Sequence, residues 1–144
     1  MQDVQTTKSE DEGGDVLSGN KRNKDRATAA FRLWARAGCP GMEEIRRSGG
    51  GAAEDMLTCA AVFDVLESNA GRANRPGPEI AEAVRAVYMR DPGRPLKRSE
   101  VSMRARRFAI SHYVSERTVY YWLRIARTMW ERLSNCPGSA KTLQ

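Results

Sequence analysis

The chain has 144 residues, enough for one ordinary domain with a tail or small extension and too few for two large domains. Its net charge of +6 and pI of about 9.6 are unevenly placed: Met1–Asn20 carries one Lys against five acidic residues, whereas Arg72–Arg132 carries fourteen Lys/Arg against six Asp/Glu. An anionic partner is therefore expected to meet the C-terminal half. Cys39, Cys59 and Cys136 are odd in number and far apart, which suits neither a disulfide framework nor a zinc site, and they read as reduced thiols of a cytoplasmic protein. The N-terminus lacks the basic and apolar segments of an export signal, and no run approaches the roughly 18 to 20 apolar residues of a membrane span, so no membrane partner is expected.

Residues 1–24 are polar and acidic, with hardly any large apolar side chain; they cannot bury enough surface to offset the entropy of ordering and read as a disordered tail. Asp25–Gly38 reads as a helix capped by Asp25 and stopped by Gly38 and Pro40, with Ala30, Phe31 and Trp34 at helical spacing. Arg32 and Arg36 fall on another, solvated face. The three glycines at 49–51 suggest a flexible break, a linker or a long loop, so that 25–52 forms an N-terminal helix plus Gly-rich linker. Ala53–Gly71 has the pattern of an amphipathic helix, with Met56, Cys59, Ala60, Phe63 and Leu66 on one stripe. After a Pro/Gly loop, a helix is expected over about 78–90 with Ile80, Val84, Val87 and Tyr88 inward. Ser99 can cap a fourth helix carrying Val101, Ala105, Phe108 and Ala109, and Ser115–Leu133 reads as a long helix with Val119, Trp122, Leu123, Ala126, Met129, Trp130 and Leu133 on one stripe. No alternating strand pattern is present. The expected fold is all-α, a small helical bundle ending in a helix-turn-helix, with 136–144 as a second disordered tail.

The stretch FAISHYVSERTVYYWL, 108–123, carries the helix-turn-helix expectation. Such a unit needs a small residue where the helices cross, a short turn, a cap, and apolar residues flanking an exposed face. Phe108 and Ala109 supply the core and crossing residues, Val114 an inward turn residue, Ser115 the cap, and Val119 and Trp122 the return to the core. Tyr113 stands at the turn position where glycine is usual and a left-handed backbone is wanted, so strain or a longer turn is expected there. At the start of the second helix, Ser115, Glu116, Arg117, Thr118, Tyr120, Tyr121 and Arg124 are left for an exposed face, with Arg127 a turn further. Arg pairs bidentately with guanine edges, and Tyr and Thr hydroxyls reach phosphates. Arg104, Arg106 and Arg107, preceded by Arg94, Lys97 and Arg98, would add sequence-independent attraction to a nucleic-acid backbone. The bland alternative is a basic, solvated corner of a helical bundle.

The order AAVFDVLES, EIAEAVRAVYM, RARRFAISHYVSERTVYYWLRIART resembles the C-terminal half of phage-type transcription regulators of the RinA/ArpU kind, which are similar in turn to sigma-factor region 4. The S-x-x-T-V-Y-x-W run of SERTVYYWL is the most specific part. The resemblance implies a region 4-like helix-turn-helix domain over 53–135 and a role in transcription regulation for a phage or mobile element.

Catalysis finds little support. His112 is the only histidine, so neither a Ser-His-Asp triad nor a multi-His metal site can be assembled, and it reads as a turn residue, with a phosphate contact as the functional alternative. Trp34, Trp122 and Trp130 read as core aromatics. SGGGAAED lacks the Lys-Ser/Thr ending of a nucleotide loop. Glu43/Glu44 and Glu54/Asp55 suit helix N-termini. No enzyme and no cofactor are expected. The leading expectation is a sequence-specific binder of double-stranded DNA. Two alternatives stand beside it: a DNA-packaging terminase small subunit, in which the helix with Phe31 and Trp34 drives homo-oligomer assembly, and an adaptor that contacts RNA polymerase through the acidic tail and the helix at 53–69.

Overall fold

The computed structural model describes residues 15–68 and 76–135, and among them every regular element is an α-helix. In chain order these are α1 (Asp15–Arg36), α2 (Met42–Ser48), α3 (Ala53–Ser68), α4 (Gly77–Val87), α5 (Arg98–His112) and α6 (Glu116–Asn135). The stretches expected to be tails, 1–14 and 136–144, lie outside the described residues. The boundary at residue 24 moves, because α1 begins at Asp15. Once the face with Ala27, Ala30 and Phe31 is packed, extending that helix costs far less than nucleating one.

Local sequence accounts for the helix ends. Gly38, at φ +90°, closes α1, and the Cys39 N–H reaches back to the Trp34 carbonyl at 2.9 Å, the pairing of a Schellman cap. The glycine run expected to be a linker is instead the sharp stop of a short helix. α2 carries Glu43 and Glu44 in its first turn, and Gly49 and Gly50 take φ of +66° and +101°, values an L side chain resists. Ile45, only 1% exposed, pins α2 to the core.

α3 packs against α1, α2, α4 and α6 and departs from the expected single stripe: Thr58, Ala61 and Val62 are buried along with Cys59, Ala60, Phe63 and Leu66. A helix buried on several sides needs apolar residues nearly all round. The Thr58 hydroxyl, buried on α3, donates to the Glu54 carbonyl at 3.0 Å, which removes the cost of burying it. Burial also raises the Cys59 thiol far above its ordinary pKa, consistent with a reduced, unreactive side chain.

Phe31 and Trp34 meet Phe63 in edge and tilted contacts with centroids 5.9 and 4.9 Å apart, and the Trp34 indole donates to the Pro40 carbonyl at 2.9 Å. Both side chains belong to the same buried cluster as Val84, Ala105, Leu123 and Trp130. Residues 25–52 and 53–135 therefore share one core. Phe31 and Trp34 are buried inside the chain, 0% and 6% exposed.

Candidate nucleic-acid interface

α5 and α6 are joined by Tyr113, Val114 and Ser115. Ala109 is 4% exposed, with Phe108, Val119, Trp122, Leu123 and Ala126 buried around it. The Phe108 ring makes an edge contact with Trp122 at 6.4 Å and a stack with His112 at 3.8 Å. His112 closes α5: Nδ1 lies 3.1 Å from the Phe108 carbonyl and Nε2 lies 3.1 Å from Oε1 of Glu82 on α4. It thus ties the end of α5 sideways to α4, a larger part than that of a simple turn residue.

The turn stays short because Tyr113 itself adopts the left-handed conformation, φ 58° and ψ 40°. Val114 donates back to the Ala109 carbonyl at 3.0 Å. Ser115 Oγ then accepts the Thr118 N–H at 3.0 Å and lies 2.9 Å from the Thr118 hydroxyl, the side-chain cap expected of Ser115. Holding a bulky L residue in that region costs about 1 kcal/mol or more.

With Val119, Trp122, Leu123, Ala126 and Trp130 buried, helical periodicity leaves Arg117, Tyr120, Tyr121 and Arg124 outward at i, i+3, i+4 and i+7. Tyr120 and Tyr121 are 40% and 53% exposed, and the Arg124 guanidinium sits 5.8 Å from the Tyr121 ring centroid, a cation–π contact that holds both side chains on that face. The Tyr120 hydroxyl reaches Ser102 Oγ of α5 at 3.5 Å. Glu116 pairs with Arg106 at 3.1 Å across the helix pair, so Arg106 brings less free charge than its position in the sequence implied. Ser115 and Thr118 flank the face, with their hydroxyls engaged in the cap.

Two of the expected cations are not surface groups. Arg104 is 9% exposed and donates to the Val87 and Arg90 carbonyls at 3.0 and 3.3 Å, with Asp91 and Glu100 at 3.7 and 3.6 Å. Its position on the inner face of α5, beside Ala105 and Phe108, turns it toward the end of α4. Arg127 is half-buried and donates to the Tyr88 hydroxyl. Arg94, counted among the outer cations, is compensated by Asp91 and Glu100 at 3.4 and 3.0 Å. Lys97, Arg98 and Arg107 are exposed. Among the described residues, the side chains of Arg98, Arg107 and Arg117 have no ion-pair partner.

Sequence reasoning missed Arg32. Instead of being solvated, it reaches from α1 to the Tyr88, Arg90 and Asp91 carbonyls at 2.6, 3.4 and 3.0 Å, and also to that of Arg94. Burial lowers its pKa, followed by the charge of Arg104. Nothing in the spacing of α1 signals this, since the acceptors lie more than fifty residues away. Arg90 was missed as well: it lines a shallow cleft of about 500 Å³ between α4 and α5 together with Arg107 and His112.

Among the described residues there is no cluster of His, Cys, Asp and Glu that could hold a metal, and no helix long and apolar enough to cross a membrane. The chain matches no protein-family model, no curated protein and no solved structure.

Proposed function

We propose that this protein binds double-stranded DNA sequence-specifically through a helix-turn-helix formed by α5 and α6, in the role of a phage or mobile-element transcription regulator. The observation that supports it most is the outward stripe of α6: Arg117, Tyr120, Tyr121 and Arg124 project from a helix whose other face is buried. Laid in a major groove, Arg117 and Arg124 supply forked donors for guanine edges, and the tyrosine hydroxyls supply contacts to flanking phosphates. Arg98 and Arg107 on α5 add backbone attraction.

Selection from a random duplex pool yields the site, and titration of that site by fluorescence anisotropy measures the affinity. Arg117→Ala/Arg124→Ala weakens specific binding by at least about tenfold at moderate salt, at about 1–3 kcal/mol per lost base contact. Unchanged affinity in the double variant rules this reading out.

A further inference from the structure

A second feature lies beside the outward face of α6 and is not explained by it. An open cleft of about 710 Å³ separates α1 from α5 and α6, within the range of about 300–1,000 Å³ typical of small-molecule sites. One wall is apolar, from Leu96 and Val101; other lining residues, among them Arg98, Arg127, Ser102 and Tyr120, are cationic or hydroxylic, and no carboxylate of the described residues lines it. We propose that this cleft binds a phosphorylated small molecule of nucleotide size.

The two arginines carry the case differently. Arg98 is exposed at the rim, and its guanidinium makes no hydrogen bond or ion pair among the described residues. Arg127 spends one terminal nitrogen on the Tyr88 hydroxyl, while its Nε is shielded from solvent and has no acceptor among the described residues. A buried donor left without a partner is costly, and a small rotation of that guanidinium toward an oxyanion in the cleft relieves the cost. Phosphate suits this set better than carboxylate, because its oxygens can accept from two guanidinium groups and from the Ser102 and Tyr120 hydroxyls together. Leu96 and Val101 give an apolar base or ring a surface to cover. A rigid duplex is too wide to enter between α1 and α6, whereas a small phosphate reaches Arg127. Tyr120 belongs both to the cleft and to the outward stripe of α6. If the DNA reading above holds, a bound ligand crowds the DNA backbone and weakens DNA binding.

The test is isothermal titration calorimetry of the full chain, free of DNA, with ATP as probe and tripolyphosphate at matched ionic strength as control. Saturable ATP binding is expected, weakened by about tenfold or more in Arg98→Ala. Arg98 is exposed and makes no hydrogen bond or ion pair among the described residues, so this variant is expected to keep the parent's melting temperature and carries the test; Arg127→Met probes the inner wall and is expected to lose at least as much affinity. Absence of saturable binding, equal affinity for ATP and tripolyphosphate, or unchanged affinity in Arg98→Ala overturns the proposal. Anisotropy on the DNA complex adds the second arm, in which ATP releases DNA more effectively than salt of equal ionic strength; release no better than salt overturns the coupling. ATP binding by a protein with no DNA affinity leaves the cleft assigned and removes the DNA reading, and the reverse result does the opposite.

Discussion

Two turns in this molecule face the same local problem and solve it differently. The turn after α4 and the turn after α5 each place a non-glycine residue at positive φ, Asp91 at 48° and Tyr113 at 58°. The first is bound from outside: Arg32 of α1 and Arg104 of α5 donate to the carbonyls of residues 87–94, and Glu100 and Asp91 close the cluster. The second is held mainly by its own neighbours, through the Val114 to Ala109 bond, the Ser115 cap and the His112 stack on Phe108, beside the His112 contact to Glu82 of α4. Arginines that look alike in the sequence therefore divide into two kinds. Those meeting the first turn are structural, whereas Arg117 and Arg124, beyond the second, face outward.

Removing the staple of the first turn has the largest effect. Arg104→Ala leaves the buried Val87 carbonyl without its donor and costs about 2–3 kcal/mol, seen as a melting temperature lower by about 10 °C. A loss no larger than that of an exposed arginine such as Arg107→Ala would erase the distinction between the two kinds. At the second turn the stakes are smaller. Ser115→Ala removes the cap of α6 and costs about 1 kcal/mol by urea unfolding, with DNA affinity falling in step if the reading helix frays. Tyr113→Gly runs the other way: it relieves the left-handed strain but adds freedom to the unfolded chain, for a net gain of about 0.5 kcal/mol. A loss on this substitution would show that the exposed Tyr113 ring makes a contact worth more than the strain.

The smallest effect separates the turns by pH. The Glu100 carboxyl is held below its ordinary value of 4.5, first by the Lys97 N–H that it accepts at the start of α5 and then by Arg94 and Arg104. Because its folded pKa lies below the unfolded one, its stabilising contribution is complete above the ordinary value and is lost as pH falls through the folded one. Thermal melts between about pH 5 and pH 3 should show this loss in the parent and a shallower one in Glu100→Gln.

What could be read without coordinates followed from local rules. The helical character, the approximate ends of α3 to α6, the burial of Phe108, Ala109, Val119 and Trp122, and the Ser115 cap all depend on residues within a turn or two of one another. α2 was hidden because seven residues give too short a pattern to separate from a loop, and the glycines that end it look the same as a linker. The all-round burial of α3 was hidden because it depends on where its neighbouring helices pack around it.

Composition and spacing alone were enough for an all-helical chain with a basic C-terminal half and a capped, outward-facing last helix, because periodicity, caps and charge are local properties. Only the packed structure could decide which cations remain free for a partner. Arg32 and Arg104 find their acceptors on the turn after α4, 56 and 17 residues away, and no spacing rule reaches across that distance. The cleft lined by Arg98, Arg127 and Tyr120 exists for the same reason, since its walls come from helices that meet only when the core closes.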